Sequence, residues 1–138
     1  MKILFLILSF CIISSSAYSS TSYLIVHKDN KTEITKELVS KIYLGQMTHW
    51  ENGDKILPMV NKKNKSELKG FVKTFLNMST NRYKSYWRTK LFSGNGVPPR
   101  NVKTTTKALD ITLENTGAIF YSFQPIANDK IKIIEIKN

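Results

Sequence analysis

The longest apolar run in the chain, residues 3–13, follows a single charge at Lys2 and is interrupted only by Ser9. Small and polar residues come next: Ser14, Ser15, Ser16, Ala17, Tyr18 and Ser19. The run is about eleven residues long, whereas a helix crossing a bilayer needs roughly twenty. A charged start, a short greasy stretch and a small-residue exit together predict a secretory signal peptide over residues 1–19, cut after Ala17 or Ser19. The expectation is therefore an exported domain, residues 20–138, periplasmic or secreted, with no membrane span after cleavage.

Downstream, the pattern alternates between strand and helix periods. Residues 22–27, Ser-Tyr-Leu-Ile-Val-His, are rich in β-branched and aromatic side chains and predict a strand. Thr35 predicts a helix cap, with Ile34 and Val39 as its hydrophobic staple. Leu38, Ile42 and Tyr43 then keep helical spacing until Gly45 stops the helix. Residues 48–54 carry turn chemistry around Trp50 and Gly53, and residues 55–60 predict a second strand. Ser66 is the expected cap of the next helix, whose Leu68, Phe71, Val72 and Phe75 form an apolar stripe. A third helix starts near Ser79 or Thr80 and presents Tyr83, Trp87 and Leu91. Residues 92–99, with two glycines and two prolines, fit neither helix nor central strand. Thr104, Thr105 and Thr106 offer caps for a fourth helix carrying Ala108, Leu109, Ile111 and Leu113 and ending at Gly117. Residues 118–123 and 131–136 predict two closing strands. The sum is one α/β domain with one core, which is what about 120 residues can build.

Composition narrows the chemistry. Cys11 is the only cysteine and lies inside the apolar run, so the mature domain has no disulfide, thiolate metal site or cysteine nucleophile. Phe10 precedes it, where a lipoprotein needs a small residue, which argues against lipid anchoring. The formal charge is +11, almost all of it lysine; Arg82, Arg88 and Arg100 are the only arginines. Without arginine forks interleaved with aromatic platforms, specific nucleic-acid binding is not expected. His27 and His49 have no sequence partners, the carboxylates are scattered, and no hydrolase or zinc motif occurs, so neither catalysis, nor a metal, nor a cofactor is expected. Binding is the remaining class. Two helix starts next to positive charge suit a small oxyanion, because their amides are unpaired and their dipoles favour anions. They supply Ser66 with Lys63, Lys65 and Lys69, and Thr105 with Thr106 and Arg100. Ordinary capping is the competing reading of the hydroxyls.

Several segments, in order along the chain, resemble the periplasmic substrate-binding proteins of phosphate ABC transporters. They are Leu38-Val39-Ser40-Lys41-Ile42-Tyr43-Leu44-Gly45 with Trp50-Glu51-Asn52-Gly53, then Ser66-x-x-Lys69-x-Phe71, Tyr86-Trp87, Phe92-x-Gly94-x-Gly96-x-Pro98-Pro99, and Gly117-Ala118-Ile119-Phe120-Tyr121. The chain is similar to short, one-lobe relatives of that family. The resemblance implies one lobe of a type 2 periplasmic-binding-protein-like fold, a mixed sheet flanked by about four helices. It also implies an exported protein that binds inorganic phosphate or a similar oxyanion, weakly or with a second lobe, and an ABC permease or envelope protein as partner. The family's Arg-x-Asp-Gly-Ser-Gly-Thr-like loop reads Asn61-Lys62-Lys63-Asn64-Lys65-Ser66-Glu67 here, with Asn61 at the arginine position and Lys63 at the aspartate position. Glu67, at the helix start, would repel an anion. The alternative reading keeps the lobe and drops the ligand: an envelope interaction module or self-associating domain, marked by exposed aromatics at Trp50, Tyr86 and Trp87.

Overall fold

β-Branched and aromatic residues at the start of the described chain form β1 (Thr21–His27), which lies within a sheet rather than at its rim. The computed structural model describes residues 21–137; the expected signal peptide lies outside the described residues. The other strands are β2 (Leu57–Val60), β3 (Arg100–Asn101), β4 (Ala118–Ser122) and β5 (Ile131–Lys137). Their order across the sheet is β3-β2-β4-β1-β5. β3, β2 and β4 run parallel, while β1 is antiparallel to both β4 and β5. Tyr23 pairs with Ser122 and Ile25 with Phe120 on one side of β1; Thr21 pairs with Lys137 on the other.

Among the described residues four helices cover the sheet: α1 (Lys36–Tyr43), α2 (Lys65–Leu76), α3 (Thr80–Phe92) and α4 (Thr105–Glu114). Side chains alternate along a strand, so each strand feeds both faces. Leu24, Val26, Val60, Ile119 and Tyr121 meet α1, α2 and α3 in the larger core. Ile25, Met59, Ala118 and Phe120 meet α4 in the smaller one. The expected stripe of α2 is buried as a unit at Leu68, Phe71, Val72 and Phe75. Tyr43 is fully buried, and its hydroxyl donates to the carbonyls of Met59 (2.9 Å) and Ile119 (3.2 Å), pinning α1 to β2 and β4. Burial holds its phenol well above the usual tyrosine range, with Tyr121 and Tyr83 adding to the effect, so it remains a neutral donor.

The caps follow the sequence with two corrections. Thr35 caps α1, Ser79 caps α3 and Thr104 caps α4, each hydroxyl accepting an amide three residues on. For α2 the cap is Asn64, whose side chain accepts from the amide of Glu67 at 3.1 Å; Ser66 lies one residue inside the helix. Gly117 does not stop α4, which ends at Glu114 with Asn115 as its cap. Gly117 instead lets β4 begin against β2, because a Cβ there would strike the backbone carbonyl oxygen of Lys55. Gly45 does end α1 as expected, at φ +68°, under the Trp87 ring. β3 is a strand that the sequence pattern did not indicate.

Candidate functional site

Parallel strands leave all their C-terminal ends on one edge, and here those ends are Val60, Asn101 and Ser122. Two of the loops that leave this edge run directly into helix starts, the third into the bend after β4. In the first loop, the Asn61 side chain accepts from the amides of Lys63 (3.0 Å) and Asn64 (3.3 Å). This folds Asn61-Lys62-Lys63-Asn64 into a tight turn that delivers α2. The second loop is tied to the first. The amide of Val102 donates to the Val60 carbonyl at 2.8 Å, and the amide of Lys62 donates to the Asn101 side chain at 3.1 Å. In the third, the Ser122 hydroxyl donates to the Gln124 carbonyl (2.9 Å) and accepts from its amide (3.0 Å).

The expected site residues distribute unevenly over this edge. Ser66 lines an open depression together with Asn64, Glu67, Gly70, Thr74, Phe123, Gln124 and two cations, Lys36 and Lys73. Lys63 and Lys65 are exposed on the turn and the first position of α2. Lys69 is exposed one turn further and lines a different depression, with Lys73 and Arg82. Arg100 is exposed on β3, and Thr105 and Thr106 are exposed in the first turn of α4. The two helices start from adjacent strands on one edge but pack on opposite faces of the sheet. The Ser66 depression is therefore closed by the bend after β4 rather than by Thr105 and Thr106.

One contact bears directly on what this edge can hold. The Glu67 carboxylate accepts the amide of Phe123 at 3.3 Å, linking the first turn of α2 to the end of β4. A negative group already stands where helix amides and dipole would draw an anion. The sequence shows Glu67 at the helix start, but the partner 56 residues away becomes visible only once β4 is placed beside β2. The opposite edge of the sheet has the other polarity. There the Asp54 carboxylate accepts from Thr116 (2.6 Å) and Asn52 (3.1 Å), and those hydrogen bonds, Thr116 first, lower its pKa. Asp29 and Glu51 line the same small depression.

The aromatic docking surface expected at Trp50, Tyr86 and Trp87 is not formed. Trp50 and Trp87 belong to the larger core, and their ring N–H groups donate to the Gly117 and Tyr43 carbonyls, each at 3.2 Å. Tyr86 is half-buried with its hydroxyl on the Leu44 carbonyl at 2.6 Å. Large amphipathic rings find both burial and a polar partner in this way. Among the described residues, no three histidine, cysteine or acidic side chains gather as a metal site, and no helix is long and apolar enough to cross a membrane.

Neither the protein-family models nor the curated proteins give a match to the sequence. Among solved structures the chain is similar to an ABC-type phosphate transport receptor from Vibrio cholerae, with a TM-score of 0.59 and 17% identity. The alignment covers 85% of this chain and 47% of the receptor, so the chain spans about half the receptor's length. At that identity the likeness establishes the fold: a five-stranded mixed sheet with four helices, matching a single lobe of a periplasmic-binding-protein-like architecture.

Proposed function

We propose that this protein is an exported one-lobe relative of the phosphate-receptor class that holds a small oxyanion weakly, or holds it firmly when a second lobe faces it. The observation that carries the reading is the Ser66 depression, where the start of α2 and the bend after β4 meet Lys36 and Lys73, with Lys63 and Lys65 on the approach to the helix. Amides at helix starts, hydroxyls and solvated lysines are the donors that phosphate or sulfate takes. The neighbouring receptor fold supports the same ligand class. The reading assigns a binding role rather than a catalytic one. The missing donors would come from a permease, another envelope protein or a second copy.

Glu67 sets the strength in this account. Its carboxylate lines the Ser66 depression and opposes an anion there, which is why the affinity is weak. Glu67→Gln keeps an oxygen for the Phe123 amide and removes the charge. It is expected to tighten phosphate binding about fivefold, the equivalent of about 1 kcal/mol at a helix start. A thermal melt over millimolar phosphate and sulfate checks both parts. At ten times its dissociation constant the ion adds about 1.4 kcal/mol, a rise of several degrees for a domain this size. An absence of shift in both proteins would reject the oxyanion reading. A variant no tighter than the parent would move the site away from Ser66. The same contact favours one second reading: if Glu67 permanently fills the anion's place, the lobe is a ligand-free interaction module, and neither protein responds to phosphate.

A further inference from the structure

The sheet edge does not account for the most exposed apolar side chains in the described molecule. Phe92 is 85% exposed, Val97 83% and Leu91 53%, all within the end of α3 and the loop that leads to β3. The loop between them, Ser93-Gly94-Asn95-Gly96, carries no large side chain, so Phe92 and Val97 flank a small, largely exposed tip. A groove of about 240 Å³ runs beside it, floored by Val60, Tyr83, Trp87 and the two prolines. Its cations are Lys62, Lys84 and Arg88, and no carboxylate lines it. The depression on the other flank of α3 contains Arg82 and Lys90, again without a carboxylate. Residues 68–109 contain no aspartate or glutamate at all. Lys90 itself is committed, with its ammonium on the Leu44 carbonyl (2.8 Å) and over the Tyr86 and Trp87 rings. Arg82, Lys84 and Arg88 are exposed.

We propose that this tip and its collar of cations form a contact surface for an anionic lipid bilayer. Lys84, Arg88 and Leu91 follow helical spacing and so share one side of α3, which places charge directly behind the apolar end. Apolar side chains entering the headgroup layer, with lysine and arginine at the phosphate level, are how peripheral proteins hold such surfaces. The exposure of these side chains decides between a bilayer and an acidic protein. Phe92 and Val97 are almost wholly solvent-exposed at the end of a helix and its loop, which a fluid headgroup layer accepts without a matching cavity. The proposal is independent of the oxyanion reading, because Phe92, Val97, Lys84 and Arg88 do not line the Ser66 depression.

The test uses the full chain with Cys11→Ser and Asn95→Cys, so that an environment-sensitive dye sits only on the tip. Attachment through residues 3–13 alone would leave the response unchanged by Phe92→Ser with Val97→Ser, which separates it from contact at the tip. With phosphatidylcholine vesicles holding about one part in three phosphatidylglycerol, dye emission should shift to the blue. About 0.5 M salt, where the Debye length falls to about 4 Å, should reverse the shift. Phe92→Ser with Val97→Ser should weaken the partition at least about tenfold, and Lys84→Ala or Arg88→Ala about fivefold each. All these side chains are exposed, so melting temperatures should be unchanged, which separates lost contact from lost fold. An equal response to pure phosphatidylcholine, no response to the anionic vesicles, or indifference to the Phe92 and Val97 changes would overturn the proposal. A dye shift with polyglutamate and none with vesicles would reassign the surface to an acidic protein.

Discussion

Gly117→Ala is expected to cost about 3 kcal/mol or more, a large share of the 5–15 kcal/mol that holds a typical domain together. The added methyl would strike the Lys55 carbonyl oxygen and sit 3.2 Å from the Asn115 side chain. The obstacle is backbone, so relief requires moving β2 or β4. Those strands are joined at this point by the Leu57 amide donating to the Gly117 carbonyl at 2.9 Å, and the Trp50 ring donates to the same oxygen at 3.2 Å. Displacement would loosen the parallel pairing that sets the edge where α2 starts, as well as the seat of Trp50. The denaturation midpoint measures this, and a variant within about 1 kcal/mol of the parent would show that the crossing is not rigid.

Phe71→Ala should cost about 3–5 kcal/mol, the range for emptying a buried aromatic position. Its ring is fully buried, stacked on Tyr121 with centroids 3.9 Å apart and planes 9° apart. It also meets Phe75 at 5.0 Å and the edge of Tyr43 at 4.6 Å. Removing it opens a void between α2, α1 and β4 that three other rings cannot fill without leaving their rotamers. Phe71→Leu should recover about half of the loss, because most of the volume returns while the ring contacts do not. Equilibrium unfolding of the two variants checks the ranking.

Much of this architecture could be read from residue order, and the exceptions have physical causes. Thr35, Ser79 and Gly45 act locally, through a hydroxyl or a missing Cβ, so their roles needed no tertiary information. The α2 stripe was equally legible, because Leu68, Phe71, Val72 and Phe75 leave one face apolar. In α3 the four-residue spacing holds for buried Tyr83 and Trp87 but not for Leu91. Steps of four advance about 40° past a full turn each, so Leu91 has rotated off the line of Tyr83 and Trp87 and emerges exposed. β3 has two polar, exposed residues and exists through pairing with Met59 and Val60, a contact that no local pattern encodes. Asn64 and Ser66 are nearly equal capping residues, and only the turn made by Asn61 chooses between them. At the site, the chemistry of the helix starts was visible but their placement was not. The face on which α4 packs and the reach of Glu67 to Phe123 both follow from strand order.

Amide chemical shifts recorded while inorganic phosphate is added decide whether the start of α2 holds an oxyanion. The largest displacements should fall on Lys65 and Ser66 in the first turn of α2 and on Gln124 beside it, with Thr105 and Thr106 on the other face of the sheet little changed. Displacements confined to the opposite edge around Asp54, or none at millimolar phosphate, would contradict an oxyanion site built from helix starts.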